Sequence, residues 1–202
     1  MAFDARRYFR NYFKKKSIFS IVTDFLFILL IVLMIIPSTR TQVSSFFIKV
    51  TSLPPSELNA DEQFSISNST NNWILYDMKG NEHKYSDLNK KPVFLNVWAT
   101  WCPPCIAELP SIKDLHADYG QKVNFILVSN ENPDVVKAFI EKNNYQNLDF
   151  YISKNLPQDF TTQSIPATFV ISTDSKVVVN KKGAAKWNSS KMTNILDNLI
   201  QD

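Results

Sequence analysis

Two cysteines stand three residues apart in the run Trp101-Cys102-Pro103-Pro104-Cys105, and the chain has no others. At that separation they cannot cross-link distant parts of a fold, so a structural disulfide framework is excluded. Three chemistries remain: half of a zinc site, a pair of inert thiols, or a reversible dithiol. Zinc would need further ligands. Only two histidines, His83 and His116, are present, and neither stands at ligand spacing from the other. They read as a turn residue and a helix-face residue. Apolar burial gives no reason to place two prolines between two cysteines. The spacing points to thiol–disulfide exchange, with no cofactor and no metal.

The flanking pattern says what positions the pair. Val93 to Trp98 (VFLNVW) is a short apolar run, as in a buried strand. A helix is predicted from the cysteines to about Tyr119, with Gly120 as its C-cap and a kink at Pro110. Cys102 then lies at a helix N-terminus, where the dipole and free N–H groups favour an anion. A thiol pKa lowered from about 8.5 to about 7 would raise the thiolate fraction at neutral pH from about 3% to about half. The thiolate attacks, and a cysteine one turn on resolves the mixed disulfide. Spacing thus assigns attack to Cys102 and resolution to Cys105. Pro103 and Pro104 contribute no backbone N–H. The Cys102 thiolate therefore has few donors, and a moderate shift with a reducing potential is expected. Glu108 lies three residues after Cys105, on the same side of a helix. It is either a carboxylate that tunes the thiols or moves a proton, or a plain first-turn glutamate that suits the helix dipole.

Elsewhere, Trp73 to Asp77 alternates as a strand does, with a turn at Lys79-Gly80-Asn81. Val123–Ser129 and Leu148–Ile152 read as strands. Asn132-Pro133 offers an N-cap followed by proline at the first helical position, opening a helix to about Asn143. A short helix is predicted over 156–161. A hairpin follows, Ala167–Ser172 and Lys176–Asn180, and then a final helix capped by Asn188. Alternating strands and helices imply an α/β fold: a central sheet with helices on both faces, made mixed by the closing hairpin. Trp98 reads as core and Trp101 as active-site surface. Trp187 fits either a core or a substrate groove.

The N-terminal region is of another kind. Ile18 to Ile36 is 19 residues long, about 28 Å as a helix, and its only charge is Asp24, expected near an interface. Six basic residues precede it: Arg6, Arg7, Arg10, Lys14, Lys15 and Lys16. They predict a retained single-pass anchor with the N-terminus cytoplasmic and the rest across the membrane. The expected organisation is a basic tail 1–17, an anchor 18–36, a linker 37–72 rich in Ser, Thr, Asn and Pro, and a domain 73–202. Phe46–Val50 reads as a short strand or a membrane contact. Asn68-Ser69-Thr70 matches a glycosylation pattern that arises often by chance. Net charge is +3, but the first 16 residues carry a net +5, so the domain is not basic and no nucleic-acid partner is indicated.

The run Asn96-Val97-Trp98-Ala99-Thr100-Trp101-Cys102-Pro103-Pro104-Cys105-Ile106-Ala107-Glu108-Leu109-Pro110 resembles the active site of the TlpA/ResA-like branch of the thioredoxin superfamily. Two further marks are Ser164-Ile165-Pro166-Ala167-Thr168 and an extra helix and strand between about Glu131 and Asp159. The resemblance implies a thioredoxin-like fold over 73–202. It implies a redox-active Cys102–Cys105 disulfide and a cis Ile165–Pro166 bond facing it. A client surface of Trp101, Pro103, Pro104, Ile165 and Pro166 and a functional carboxylate at Glu108 follow as well. Thioredoxin has an Asp where this chain has Asn96, and an uncharged Asn96 cannot be the buried base. The implied roles are those of an extracytoplasmic, periplasmic thiol-disulfide reductase, for example of apocytochrome cysteines. The anchor has no cysteine, so such a reductase needs a separate transmembrane thiol reductase as electron donor. The other readings are an oxidase or isomerase of secreted proteins, and a non-catalytic binding module. A peroxidase reading is weak, because no separate peroxidatic cysteine exists.

Overall fold

The computed structural model describes residues 17–35 and 52–201. The chain divides into two units, 1–44 and 45–202. In the first, helix α1 (Ile18–Ile35) coincides with the expected anchor. Among the described residues no helix is long and apolar enough to cross a membrane. The basic residues ahead of α1 and the segment Phe46–Val50 lie outside the described residues.

The second unit is built on one eight-stranded sheet. Its strands are β1 (Phe64–Ser65), β2 (Ile74–Asp77), β3 (Glu82–Lys84), β4 (Val93–Val97), β5 (Asn124–Ser129), β6 (Phe150–Ile152), β7 (Ala167–Ile171) and β8 (Lys176–Lys182). Their spatial order is β1-β8-β7-β4-β5-β6-β2-β3. The β4–β5 and β5–β6 pairs are parallel and the other pairs antiparallel, so the sheet is mixed as expected. The helices are α2 (Tyr85–Leu88), α3 (Pro103–Tyr119), α4 (Pro133–Asn143) and α5 (Ser190–Gln201).

Every residue of β4 and β7 is buried, which accounts for their unbroken apolar reading. Phe94, Phe125, Leu127 and Val170 pack with Leu109, Ile112 and Leu115 of α3, Val136 and Ile140 of α4, and Met192, Ile195 and Leu196 of α5. Val93, Leu95, Ile126, Phe169 and Ile171 form the other core with Trp73, Tyr85 and Phe160. The three long helices therefore supply one core. The other is closed by the four-residue α2, a single 3-10 turn at Gln158–Phe160 and the segment that precedes β2. Helices on both faces is thus true only in a reduced sense.

The expected linker 37–72 needs correction. Its second half belongs to the domain. Phe64 and Ser65 pair with Val177 and Lys176, Leu58 N donates to Val178 O at 2.8 Å, and Ile66 and Thr70 are buried. The polar run that suggests a tether forms a 3-10 turn, Asn68–Asn72. Asp159 holds it, its carboxylate accepting from Ser67 N and from the Ser67 and Thr70 hydroxyls. Thr70, the last residue of the glycosylation pattern, is therefore committed to packing. The β3–α2 segment, Glu82–Leu88, is mostly polar and has no apolar run to mark it in the sequence. At the final helix the cap shifts by one position. Ser189 O accepts from Met192 N and Thr193 N, while the Asn188 amide donates to Asp114.

Helix α3 runs continuously through Pro110. At its end Gly120 is the C-cap, as expected, in a right-handed conformation (φ −61°). Its reason is space. A Cβ there would meet His116 O at 2.8 Å, and the His116 ring at 3.1 Å. His116 is itself held by Asp149 at 3.1 Å and packs edge-on to Phe125. We expect Gly120→Ala to cost about 1–3 kcal/mol through this overpacking. Urea unfolding at constant m-value measures it, and an unchanged midpoint would show that His116 yields freely.

Candidate active site

The C-terminal ends of β4 and β5 and the start of β7 meet at one edge of the sheet, where Val97 lies between Val128 and Ala167. The chain leaves β4 there, and Cys102 becomes the N-cap of α3. The two cysteines form a disulfide with Cα atoms 5.3 Å apart. Pro103 and Pro104 fill the first two helical positions, so the first N–H of the helix is that of Cys105. It donates to Cys102 Sγ at 3.3 Å, and Ile106 N donates to Cys102 O at 3.1 Å. The capping sulfur therefore has one backbone donor of the first turn.

The Ile165–Pro166 bond is cis. Ile165 O lies 3.7 Å from Cys102 Sγ. A disulfide sulfur has no hydrogen to donate, so this is packing in the oxidised form. In the reduced form the thiol has an acceptor at hand. Cys102 is 3% exposed and Cys105 is fully buried, so Cys102 is the sulfur a client can reach. Trp101 is 66% exposed beside it. A cleft of about 470 Å³ opens here, lined by Trp98, Trp101, Leu156, Gln163 and Ile165 among others. A larger groove of about 1100 Å³ lies between the β2–β3 turn and the start of α4, and neither cysteine lines either cavity; the smaller one adjoins the dithiol through Trp101 and Ile165. Pro103 and Pro104 are half-buried at the helix start, while Pro166 is buried.

Glu108 is buried, at 2% exposure. Its Oε1 accepts from the Asn96 amide at 2.8 Å, and its Oε2 accepts from Trp187 Nε1 at 2.9 Å and from Ala185 N at 3.2 Å. Asn96 also donates to Thr168 Oγ1 at 2.8 Å. Asn96 is thus the group that holds Glu108, a role beyond its exclusion as a base. Trp187, open in sequence, is fully buried, packs edge-on to Phe94 and spends its one donor on the carboxylate. No spacing rule joins residues 79 apart in sequence, so this contact had no sequence signal. Trp98 is core, between Phe139 and Phe150. The two histidines pair with aspartates, His83 with Asp77 and His116 with Asp149.

A thioredoxin-like α/β sheet, a disulfide at a helix N-terminus and a cis-proline loop against it define the class: a dithiol protein of thioredoxin fold. The AhpC/TSA family model matches residues 66–180, more than half of the chain, and the chain belongs to that family. The thiol-disulfide oxidoreductase ResA of Bacillus thuringiensis (strain Al Hakam) is 32% identical over 123 residues, covering 58% of this chain and 69% of that protein. Among solved structures, StoA from Bacillus subtilis (20% identity, TM-score 0.51, 64% of this chain and 96% of that one) shares the fold. So does the exposed lipoprotein thioredoxin Etrx1 of Streptococcus pneumoniae (22% identity, TM-score 0.52, 64% and 98%).

Burial pushes the Glu108 carboxyl up from its ordinary 4.5 to about 7, against the opposing pull of its bonds from Trp187, Asn96 and Ala185. A raised carboxyl contributes stability that is complete below its unfolded value and is lost as pH rises through its folded value. The oxidised protein should therefore lose roughly 3 kcal/mol of unfolding free energy from this group as pH rises from about 4.5 to beyond 7. Glu108→Gln should flatten that slope in urea melts run across the same range. An undiminished slope in the variant would assign it to another group.

Proposed function

We propose that the chain is a membrane-anchored, extracytoplasmic thiol-disulfide oxidoreductase that reduces disulfides in client proteins. The thiol-disulfide oxidoreductase activity rests on the similarity to ResA of Bacillus thuringiensis. The observation that carries the direction is the Cys102 cap: with prolines in the first two helical positions, one N–H faces its sulfur. A thiolate with few donors is weakly stabilised. A dithiol so held gives up its electrons more readily than one whose thiolate is well solvated by the helix.

In the proposed cycle the Cys102 thiolate attacks a client disulfide, forming a Cys102–client bond and releasing one client thiolate. Cys105, as thiolate, attacks Cys102 Sγ and releases the second. The client gains two electrons, and the enzyme is left with the Cys102–Cys105 disulfide. Glu108, one turn from Cys105, takes the Cys105 proton in this scheme. Its raised pKa suits a group that accepts and returns a proton near neutrality. Trp101, Pro103, Pro104 and Ile165 form the client surface, with the buried Pro166 shaping it from below. Apocytochrome cysteines before haem attachment are one proposed client class.

Anchoring rests on the sequence. The run Ile18–Ile36 is unbroken apolar from Phe25 onward and follows six basic residues. It contains no cysteine, so reducing equivalents reach Cys102–Cys105 from a separate transmembrane thiol reductase.

Cys105→Ala, expressed in cells, should accumulate mixed disulfides through Cys102, resolved on non-reducing gels and abolished by Cys102→Ser. No trapped species under any growth condition would count decisively against exchange. The potential of the pair against glutathione should lie well below the strongly oxidising value of about −120 mV. A potential near that value makes the protein an oxidase. The full chain should remain with membranes after alkaline wash, and a chain lacking residues 1–36 should be released. Retention of the shortened chain would place the attachment elsewhere.

A further inference from the structure

We propose that Glu131 is a positioning residue for the dithiol, a clamp on the loop that presents Cys102. The proposal rests on the exchange reading above. The last rung joining the β4 chain to β5 is Trp98 N donating to Val128 O at 3.1 Å. Beyond it the chain leaves the sheet, and Thr100 and Trp101 must bridge to the helix cap. Thr100 donates twice to one side chain: its N–H to Glu131 Oε2 and its hydroxyl to Glu131 Oε1, each at 2.7 Å. Hydrogen bonds to a carboxylate are shorter and stronger than neutral ones, and a two-point grip fixes orientation as well as distance.

The clamp has its own foundation. Glu131 N donates to Ser129 Oγ at 3.2 Å, and that hydroxyl donates back to Oε2 at 3.2 Å. Ser129 is the buried last residue of β5. The carboxylate thus ties the end of β5 to the loop from β4, continuing their parallel pairing past the point where backbone bonds stop.

Two consequences follow, and they are separable. The grip holds Thr100, two residues before Cys102, and so limits where the sulfur can point. The charge also acts on the Cys102 thiolate at medium range, since the carboxylate touches Thr100 at 2.7 Å and the backbone from Thr100 to Cys102 spans at most roughly 7 Å. A negative charge there disfavours the thiolate and makes the dithiol a better reductant. Glu131→Gln keeps acceptor and donor atoms for Thr100 and deletes only the charge. Glu131→Ala deletes both. Thr100→Val removes one of the two bonds and keeps the charge.

The test uses the full chain in detergent, reduced, with Cys102 alkylation followed against pH and the dithiol equilibrated with glutathione. For Glu131→Gln, the thiolate-to-thiol ratio of Cys102 at fixed pH should rise about threefold, and the equilibrium should move about threefold toward the dithiol. Its reduction rate per thiolate should stay within about threefold of wild type. For Glu131→Ala the rate per thiolate should fall at least about tenfold, with Thr100→Val between the two. A reactive wild type matched by all three variants in ratio, equilibrium and rate overturns the clamp, even if the variants unfold more easily. A wild type inert to glutathione overturns the exchange reading, and the clamp with it.

Discussion

A carboxylate buried beneath the central strand is the constraint on which the packing around this domain's dithiol helix depends. Leaving Glu108 unpaired in the core would cost several kcal/mol, so the fold must bring donors to it. It does so from separate parts of the chain: Asn96 from the central strand, Ala185 and Trp187 from the segment after β8. Thr168 of β7 joins through Asn96. The same residues that satisfy the carboxylate pin α3 to the sheet and fix the final segment before α5. Stability and a near-neutral carboxyl are in this way one feature. The donors are enough to bury the group and too few to hold its pKa at the ordinary value.

Topology explains why the reactive groups gather where they do. Parallel β4 and β5 both end at one edge, and antiparallel β7 begins there. The loop carrying Cys102, the loop carrying Glu131 and the cis Ile165–Pro166 loop are therefore neighbours, although 63 residues separate Cys102 from Ile165. Loops at strand carboxyl ends are free of ladder duty, so their backbone donors are available to sulfur and carboxylate.

Helix α4 and strand β6 extend this edge. β6 pairs with β5 and then with β2, which moves the β2–β3 hairpin outward and opens the larger groove beside Glu131. Burial on both sides of β4 comes from a cover on each face of the sheet. One core takes its cover from α3, α4 and α5, and the other from short turns. A sheet covered so unevenly needs the segment from Leu58 to Thr70 as part of its wall, which is why that segment cannot serve as a tether.

By itself the sequence determined the dithiol, its place at a helix N-terminus and the strand before it. These depend on contacts within a few residues, where spacing and proline chemistry act directly. The cap at Asn132, with proline after it, is legible for the same reason. Only the tertiary structure decided what surrounds the sulfurs. In sequence Glu108 is either a functional carboxylate or a first-turn glutamate, and its burial against Trp187 and Asn96 comes from residues far along the chain. Glu131 carried no signal at all, because its partner Thr100 lies 31 residues away and on another strand's loop. The segment before β2 looks like a linker because polar residues that bond to Asp159 resemble, in sequence, residues that bond to water. Long-range partners decide between those meanings, and a one-dimensional pattern does not contain them. The paired cysteines are legible in the chain; the burial, charge and loop geometry that tune them arise only when distant strands end at the same edge.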